Sequence, residues 1–218
     1  MKNIIISVSA VIAAAIIFSG CSVTLDPSEK ALISGLGIDG KLALQLKKMS
    51  GFPPSSFHKI TGVENEDRPR IDAIALYASS EKADEAVAVM APVFRAKGFM
   101  LLKTQSNNGD KPDEISVLKT KDQFDALRMM GTNGANYDIS TEDLISQLKE
   151  WQKICSFTID GAGEDWMSAD FIKKPADMKA FAQEVYDFCP DVVDQGAGDA
   201  DKLAQQMEED NSLYLWWD

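Results

Sequence analysis

The sequence is poor in the residue types that most often carry out catalysis or bind metals. It contains one histidine, His58, and three cysteines among 218 residues. A serine triad needs a histidine base, and a zinc site needs closely spaced histidine or cysteine ligands, so neither fits this sequence. A phosphate-binding loop and a twelve-residue calcium loop are also missing. We therefore predict no metal and no cofactor, and the lack of a catalytic histidine favours a non-enzymatic protein.

Positive charge is scarce as well. Lysine and arginine total 22 against 34 acidic residues, which gives a formal net charge of -12 at pH 7. Such a surface repels the phosphates of nucleic acids, so we expect no nucleic-acid partner. Solubility alone accounts for this acidity. The alternative is that it attracts a basic protein partner or a cation.

The apolar run at residues 4–18 is shorter than the roughly 20 residues that span a membrane. It follows Lys2 and precedes the small residues Ser19 and Gly20, which is the layout of a secretory signal peptide. The ending Phe18-Ser19-Gly20-Cys21 resembles the bacterial lipoprotein processing site. At such a site Cys21 becomes the first residue and receives a diacylglycerol, and a further chain such as palmitate makes the attachment stable. The alternatives are an ordinary cleaved signal peptide and an uncleaved membrane anchor.

These features predict the organisation of the chain. We expect a lipoprotein signal peptide at residues 1–20, the lipid-bearing Cys21 and a tether at 21–25, an N-terminal helical segment at 26–70 and an α/β domain at 71–218. The lipid would hold the protein to a membrane of the cell envelope, facing outside the cytoplasm. Because Ser22 rather than an aspartate follows the cysteine, sorting in a Gram-negative cell would lead to the outer membrane.

Apolar runs and helical patterns alternate from residue 71 onward. They predict strands near 71–78, 99–104 and 114–120, a hairpin at 154–172, and helices between and after them. We therefore expect an α/β (α+β) fold, with a mixed central sheet flanked by helices. The chain ends with Leu213-Tyr214-Leu215-Trp216-Trp217-Asp218, in which both faces of a strand would be apolar. This pattern predicts a C-terminal strand buried in the sheet, in a central rather than an edge position.

Several motifs in the same region resemble a bacterial family known only as domain of unknown function 4253. They are Lys121-Asp-Gln-Phe124, Gly131-Thr-Asn-Gly-Ala-Asn-Tyr137, Ser140-Thr-Glu-Asp143, Trp151, Phe188-Cys-Pro-Asp191, Asp194-Gln-Gly196 and the Leu213-Tyr-Leu-Trp-Trp-Asp218 ending. The resemblance extends from about residue 71 to residue 218. It implies a compact α/β domain and no particular activity.

Two irregular stretches carry the candidate site residues. Residues 131–138 are too rich in glycine and asparagine to be regular, and the polar residues after Pro190 form a second loop. We predict a binding surface formed by polar side chains of both stretches: Asn133, Asn136, Tyr137, Asp191, Asp194 and Gln195. The alternative is that these side chains only satisfy the backbone of their own loops.

Other residues are considered for catalysis and covalent bonding. Asp191, Asp194 and Cys189 are the catalytic candidates, although Cys189 would need a base to form a thiolate. In an oxidising compartment Cys155 and Cys189 would either form a disulfide or remain as two buried thiols, and the sequence leaves both open. Trp166, Trp216 and Trp217 would line a cleft or belong to the core; for Trp217 we expect the core.

The functional hypothesis is a lipid-anchored binding or interaction module, in one version an immunity-type protein whose acidic surface blocks a basic toxin. The alternative is a carboxylate-dependent hydrolase. That alternative requires two acids in one cleft, from the set Asp138, Asp160, Asp165, Asp191 and Asp194.

Overall fold

We analysed a computed structural model of the protein, which describes residues 23–51, 56–60, 71–107, 109 and 111–218. The predicted signal peptide and Cys21 lie outside these residues. The described helices are α1 (Pro27–Leu36), α2 (Gly40–Ser50), α3 (Ser80–Ala96), α4 (Phe124–Met130), α5 (Thr141–Trp151), α6 (Met178–Phe188) and α7 (Ala200–Asp210). The strands are β1 (His58–Ile60), β2 (Ala73–Ala78), β3 (Met100–Gln105), β4 (Asp113–Leu118), β5 (Ser156–Ala162), β6 (Trp166–Lys173) and β7 (Ser212–Trp216).

Local sequence explains where several helices begin. Asp26 and Ser140 each accept a hydrogen bond from the backbone N–H three residues later, and the acidic residue at that position bonds back to the cap. This reciprocal capping satisfies two N–H groups that the first helical turn leaves unpaired. Helix α3 runs through Pro92 as one element, although proline removes one of its backbone hydrogen bonds. No helix in the described part of the chain is long and apolar enough to cross a membrane.

The strands form a single seven-stranded sheet in the order β1-β2-β4-β3-β5-β6-β7. All neighbouring pairs are antiparallel except β3 and β5, which are parallel. The mixed sheet, the flanking helices and the incorporation of the C-terminal strand confirm the predicted fold class.

Two hydrophobic cores lie on opposite faces of this sheet. Helices α1, α2 and α3 cover one face of β2, β3 and β4, where Leu46, Leu76, Phe94 and Ile115 are buried. Helices α4 to α7 cover the other face, mainly over β5, β6 and β7. The two sets of helices are therefore displaced along the sheet. Among the helices that the structure describes, none lies directly over the second face of β5, β6 and β7.

The predicted central position of the C-terminal strand is wrong. Strand β7 pairs only with β6, so it is an edge strand of the described sheet. Its residues Leu213 and Leu215 are buried, whereas Tyr214 is 47% exposed. Aromatic residues on the second face suggested that both faces were covered. In the structure Tyr214 instead stacks on Trp166 of β6, with ring centroids 6.2 Å apart, and remains accessible to solvent.

Candidate functional site

The two stretches predicted to form a binding surface do meet, and Asp191 joins them. The second stretch is not the predicted irregular loop, because residues Val192–Ala197 form a π-helix. The Tyr137 hydroxyl donates to Asp191 Oδ1 over 2.7 Å, and Gln195 Nε2 donates to the same oxygen over 3.0 Å. The backbone N–H of Asp218 donates to Asp191 Oδ2 over 2.9 Å, and Asn136 donates to the Asp218 carbonyl oxygen. We call Asn136, Tyr137, Asp191, Gln195 and Asp218 the loop network.

The other two predicted binding residues lie outside the loop network. Asn133 uses its side-chain amide to donate to the carbonyl of Gly131, within its own loop. Asp194 accepts a hydrogen bond of 2.8 Å from the Tyr186 hydroxyl on α6. The structure thus brings together four of the six residues. The other two, Asn133 and Asp194, form hydrogen bonds with Gly131 and Tyr186 instead.

The hydrogen-bonding groups of Asp191 are occupied by other residues of the protein. Asp191 is only 3% exposed, and its two oxygens accept three hydrogen bonds. Burial raises the pKa of this carboxyl, but the bonds from Tyr137, Asp218 N–H and Gln195 outweigh it and hold the pKa below its usual value. The bond to Asp191 in turn raises the pKa of Tyr137 to about 12. These hydrogen bonds hold Asp218, two residues after β7, against both stretches and leave Asp191 little capacity for a ligand.

The loop at residues 131–138 also has a packing role. A Cβ atom on Gly134 would lie 2.9 Å from the indole ring of Trp217, so only glycine lets the backbone rest on this ring. Thr132 donates to the carbonyl of Gly163 over 2.6 Å. Trp217 is 3% exposed, which confirms its predicted place in the core.

The two cysteines that the structure describes, Cys155 and Cys189, are separate buried thiols that form no disulfide. Cys189 donates to the carbonyl of Trp216, and burial raises the pKa of its thiol to about 12. Burial likewise raises the pKa of Cys155 to about 11. His58 lies on β1, at the opposite edge of the sheet from β7, where it pairs with Glu114 at 3.0 Å. Cys189 therefore lacks both a base and access to solvent.

A second surface lies on the face of β5, β6 and β7 that no described helix covers, and of the residues considered for a cleft in the sequence it contains Trp166 and Asp160. There the strands and the flank of α3 enclose a groove of about 550 Å³. We call it the open-face groove. Its lining is Asp84, Val87, Ala88, Ala91, Pro92 and Arg95 from α3, Lys103 and Ser106 from or next to β3, Thr158 and Asp160 from β5, Trp166, Ser168, Asp170 and Ile172 from β6, and Tyr214 from β7.

An aromatic platform forms the floor of the open-face groove. The ring of Trp166 lies against Gly161 and Gly163, where a Cβ atom would come within 2.6 Å and 2.1 Å of it. These two glycines let the indole lie close to the strand backbone. Tyr214 extends the platform, since the two rings are inclined by only 27°. The exposed side chain of Ile172 continues the apolar surface.

The carboxylates of Asp160 and Asp170 lie in the same groove as this platform. Asp160 accepts a hydrogen bond of 2.6 Å from Ser168, and burial followed by the nearby charge of Asp170 raises its pKa, even though the Ser168 bond opposes the shift. Burial also raises the pKa of Asp170. Within the described part of the chain Asp170 has no hydrogen bond or ion pair from its side chain. Asp170 is exposed and Asp160 is half-buried, so both carboxyls are accessible from the groove.

Among the basic residues of the groove, Lys103 lowers the pKa of Asp160 as a nearby charge but forms no ion pair with it. Lys103 lies 2.5 Å from Asp84 and 3.1 Å from the buried Asp113, so two other carboxylates already engage it. Arg95 is eleven residues after Asp84 on the same helix, about 16 Å along its axis, and makes no ion pair with the described residues.

The described residues contain no group of three or more His, Cys, Asp or Glu side chains that could hold a metal ion. Of the five acids considered for a hydrolase, only Asp160 lines the open-face groove, and its acidic neighbour there is Asp170. The groove thus contains three acids, Asp84, Asp160 and Asp170, of which the sequence analysis named only Asp160.

One known protein family matches the C-terminal part of the chain, which contains the loop network and much of the open-face groove. Residues 114–218 match the family model described as domain of unknown function (DUF4253). This part of the chain is a DUF4253 domain. No curated protein and no solved structure matches the chain. The resemblance seen in the sequence reached back to about residue 71, whereas the family match begins within β4.

The two surfaces relate differently to the DUF4253 domain. The loop network lies entirely within it, because all five residues fall in 114–218. The open-face groove has its platform and its acid pair in the DUF4253 domain, but α3 and Lys103 come from the preceding segment. The complete groove therefore requires both parts of the chain.

The alternation of buried and accessible residues along β6 is a sequence signal for one wall of the groove. Along β6 the residues Met167, Ala169 and Phe171 are buried, while Ser168, Asp170 and Ile172 alternate with them on the other face. This period-two pattern predicts a strand with one buried face and one accessible face. It identifies Asp170 and Ser168, but it does not show that α3 forms the opposite wall.

Proposed function

We propose that the protein is a lipid-anchored binding module of the cell envelope, and that the open-face groove is its binding surface. The anchor rests on the lipoprotein-type sequence around Cys21. The single observation that carries the binding role is the accessible platform of Trp166 and Tyr214, flanked in the same groove by the acids Asp160 and Asp170. A concave surface that combines aromatic area with a few polar groups is the usual form of a ligand site.

The groove supports binding better than the loop network does. In the loop network the acceptors of Asp191 are filled by Tyr137, Gln195 and Asp218. In the groove, the polar groups of Asp170 and Tyr214 have no hydrogen-bond partner among the described side chains. A ligand gains most where it satisfies groups that the protein leaves open.

A carboxylate-dependent hydrolase is the second candidate, because the groove contains two acids with raised pKa values. Acid–base catalysis by two carboxyls works best when their surroundings shift the two pKa values apart, giving one acid and one base. Burial shifts the pKa of Asp160 and of Asp170 in the same direction. The pair therefore resembles a site that attracts a cation more than one prepared for hydrolysis.

Site-specific photocrosslinking in cells tests the binding role. A photoreactive amino acid in place of Tyr214, which is 47% exposed in the groove, should give a discrete adduct in the membrane fraction. The matched control is Val93, which is 45% exposed on α3 but does not line the groove. We expect no adduct from that position. Equal adducts from both positions, or none from Tyr214, would contradict the proposal.

A further inference from the structure

We propose that the open-face groove binds a basic polypeptide segment through an arginine or lysine side chain, whose cationic group lies over the Trp166–Tyr214 platform and pairs with Asp160 and Asp170. This inference rests on the proposed function and specifies the chemistry of the ligand. It combines three separate features of the groove: unpaired acceptors, accessible aromatic faces and an excess of negative charge.

The acceptors come first. Asp160 accepts a hydrogen bond from Ser168, while the Asp170 side chain has no hydrogen-bond or ion-pair partner among the described residues. A guanidinium or ammonium group carries only donors and suits such a set of acceptors.

The aromatic platform favours an organic cation. Cations bind to the faces of tryptophan and tyrosine, and arginine also stacks on them as a flat group. Tyr214 and Trp166 present accessible faces in the same groove as the two acids. The aliphatic stem of the incoming side chain would pack on Ile172, which is 72% exposed.

The negative charge of the groove and of the whole chain favours a basic polypeptide as the partner. The groove contains Asp84, Asp160 and Asp170 against Lys103 and Arg95, and Lys103 is further neutralised by the buried Asp113. The whole chain carries a net charge of -12, so a basic protein approaches with a favourable field while a second copy of this chain is repelled. A bare metal ion fits less well, because no cluster of three ligating residues exists among the described residues.

Calorimetric titration of the full chain in non-ionic detergent tests the inference. The probe is the acetylated, amidated peptide Gly-Arg-Gly-Arg-Gly, and its matched control replaces both arginines with citrulline, which keeps the shape and removes the charge. We expect the arginine peptide to bind at least about tenfold more tightly than the citrulline peptide, because the charged contacts are lost in the latter.

Protein variants locate the binding. The double variant Asp160→Asn and Asp170→Asn should weaken arginine-peptide binding about tenfold, since amides retain the shape of the side chains without their charge. The control is Asp210→Asn, an exposed acid outside the groove, which should leave the affinity unchanged. Thermal melting of each variant confirms that it is folded.

Three outcomes would overturn the inference: equal affinity for the two peptides, equal effects of the groove and Asp210 variants, or no arginine-peptide binding at millimolar concentration. Binding of a neutral oligosaccharide that is lost in Trp166→Ala would also overturn it, yet would leave the groove as a binding surface. Failure of the proposed function appears differently, as the lack of a specific crosslink at Tyr214.

Discussion

At the scale of single residues, Asp191 is the clearest structural acid of the chain. It is almost fully buried and accepts from Tyr137, Gln195 and the N–H of Asp218. In Asp191→Asn, one oxygen becomes an amide that cannot accept, so a buried donor loses its partner. We expect a loss of about 2 kcal/mol in the free energy of unfolding at neutral pH, measured by urea denaturation. The exposed control Asp194→Asn should change it by about 0.5 kcal/mol or less.

The pH dependence of this difference follows from the pKa of Asp191. Its hydrogen bonds hold the pKa in the folded protein below the usual aspartate value of about 4. The ionised carboxyl therefore stabilises the fold above the unfolded-state pKa, and this contribution disappears as the pH falls through the folded-state pKa. The gap between the original protein and Asp191→Asn should close in acid. A gap that is constant with pH would show that charge at this position is irrelevant.

Gly134 gives a second prediction at this scale. In Gly134→Ala the new methyl group would lie 2.9 Å from the indole of Trp217, and neither the ring nor the loop can move without disturbing the core. We expect a destabilisation of about 1–3 kcal/mol in thermal or urea unfolding. Gly196→Ala is the matched control, because the nearest atom to its new Cβ would be 3.8 Å away. Similar effects of the two substitutions would refute a role for this close contact.

At the scale of elements, the C-terminal strand is an edge strand whose removal should still unfold the protein. Leu213, Leu215 and Trp217 are at most 3% exposed, and each large-to-small change of such a residue costs about 2–5 kcal/mol. Their joint loss rivals the entire stability of a typical domain, about 5–15 kcal/mol. We expect deletion of residues 213–218 to abolish cooperative unfolding in circular dichroism. Tyr214→Ser, which changes only the exposed face, should fold; a stably folded deletion variant would contradict the prediction.

Element positions show how far local sequence determines the fold. Caps such as Asp26 and Ser140 act within one turn, so the sequence predicts α1 and α5 directly. The place of β7 in the sheet depends instead on which strands pair across the whole chain. Apolar alternation at Tyr214 and Trp216 predicts contact on both faces, but it does not distinguish a covering helix from an aromatic neighbour such as Trp166.

The candidate sites also differ in whether local sequence or long-range packing determines them. The loop residues Tyr137 and Asp191 were recognised because their polar side chains interrupt regular patterns, and they meet as hydrogen-bonded partners. The open-face groove arises because α3, from residues 80–96, lies next to strands formed after residue 156. No local sequence pattern predicts that α3 lies next to these strands. The sequence therefore predicts only the strand wall of the groove, through the alternation along β6.

At the scale of the whole molecule, the leader and the acidic domain have complementary roles in the proposed function. Several acyl chains on Cys21 would give stable attachment, because each buried CH₂ contributes about 0.8 kcal/mol and a single chain is only marginal. The net charge of -12 gives no attraction to anionic lipid headgroups. The lipid would therefore act as the anchor, and the acidic surface would remain directed toward a partner.

This division of roles makes lipidation separately testable. Cys21→Ala removes the sulfur that would carry the diacylglycerol, so incorporation of labelled palmitate into the protein should be lost. The control Cys155→Ala removes a buried thiol with a strongly raised pKa, which does not react with lipid, so labelling should persist. Labelling that continues in Cys21→Ala would refute the anchor. It would leave the open-face groove intact as a binding surface, because that groove is built wholly from residues 84–214.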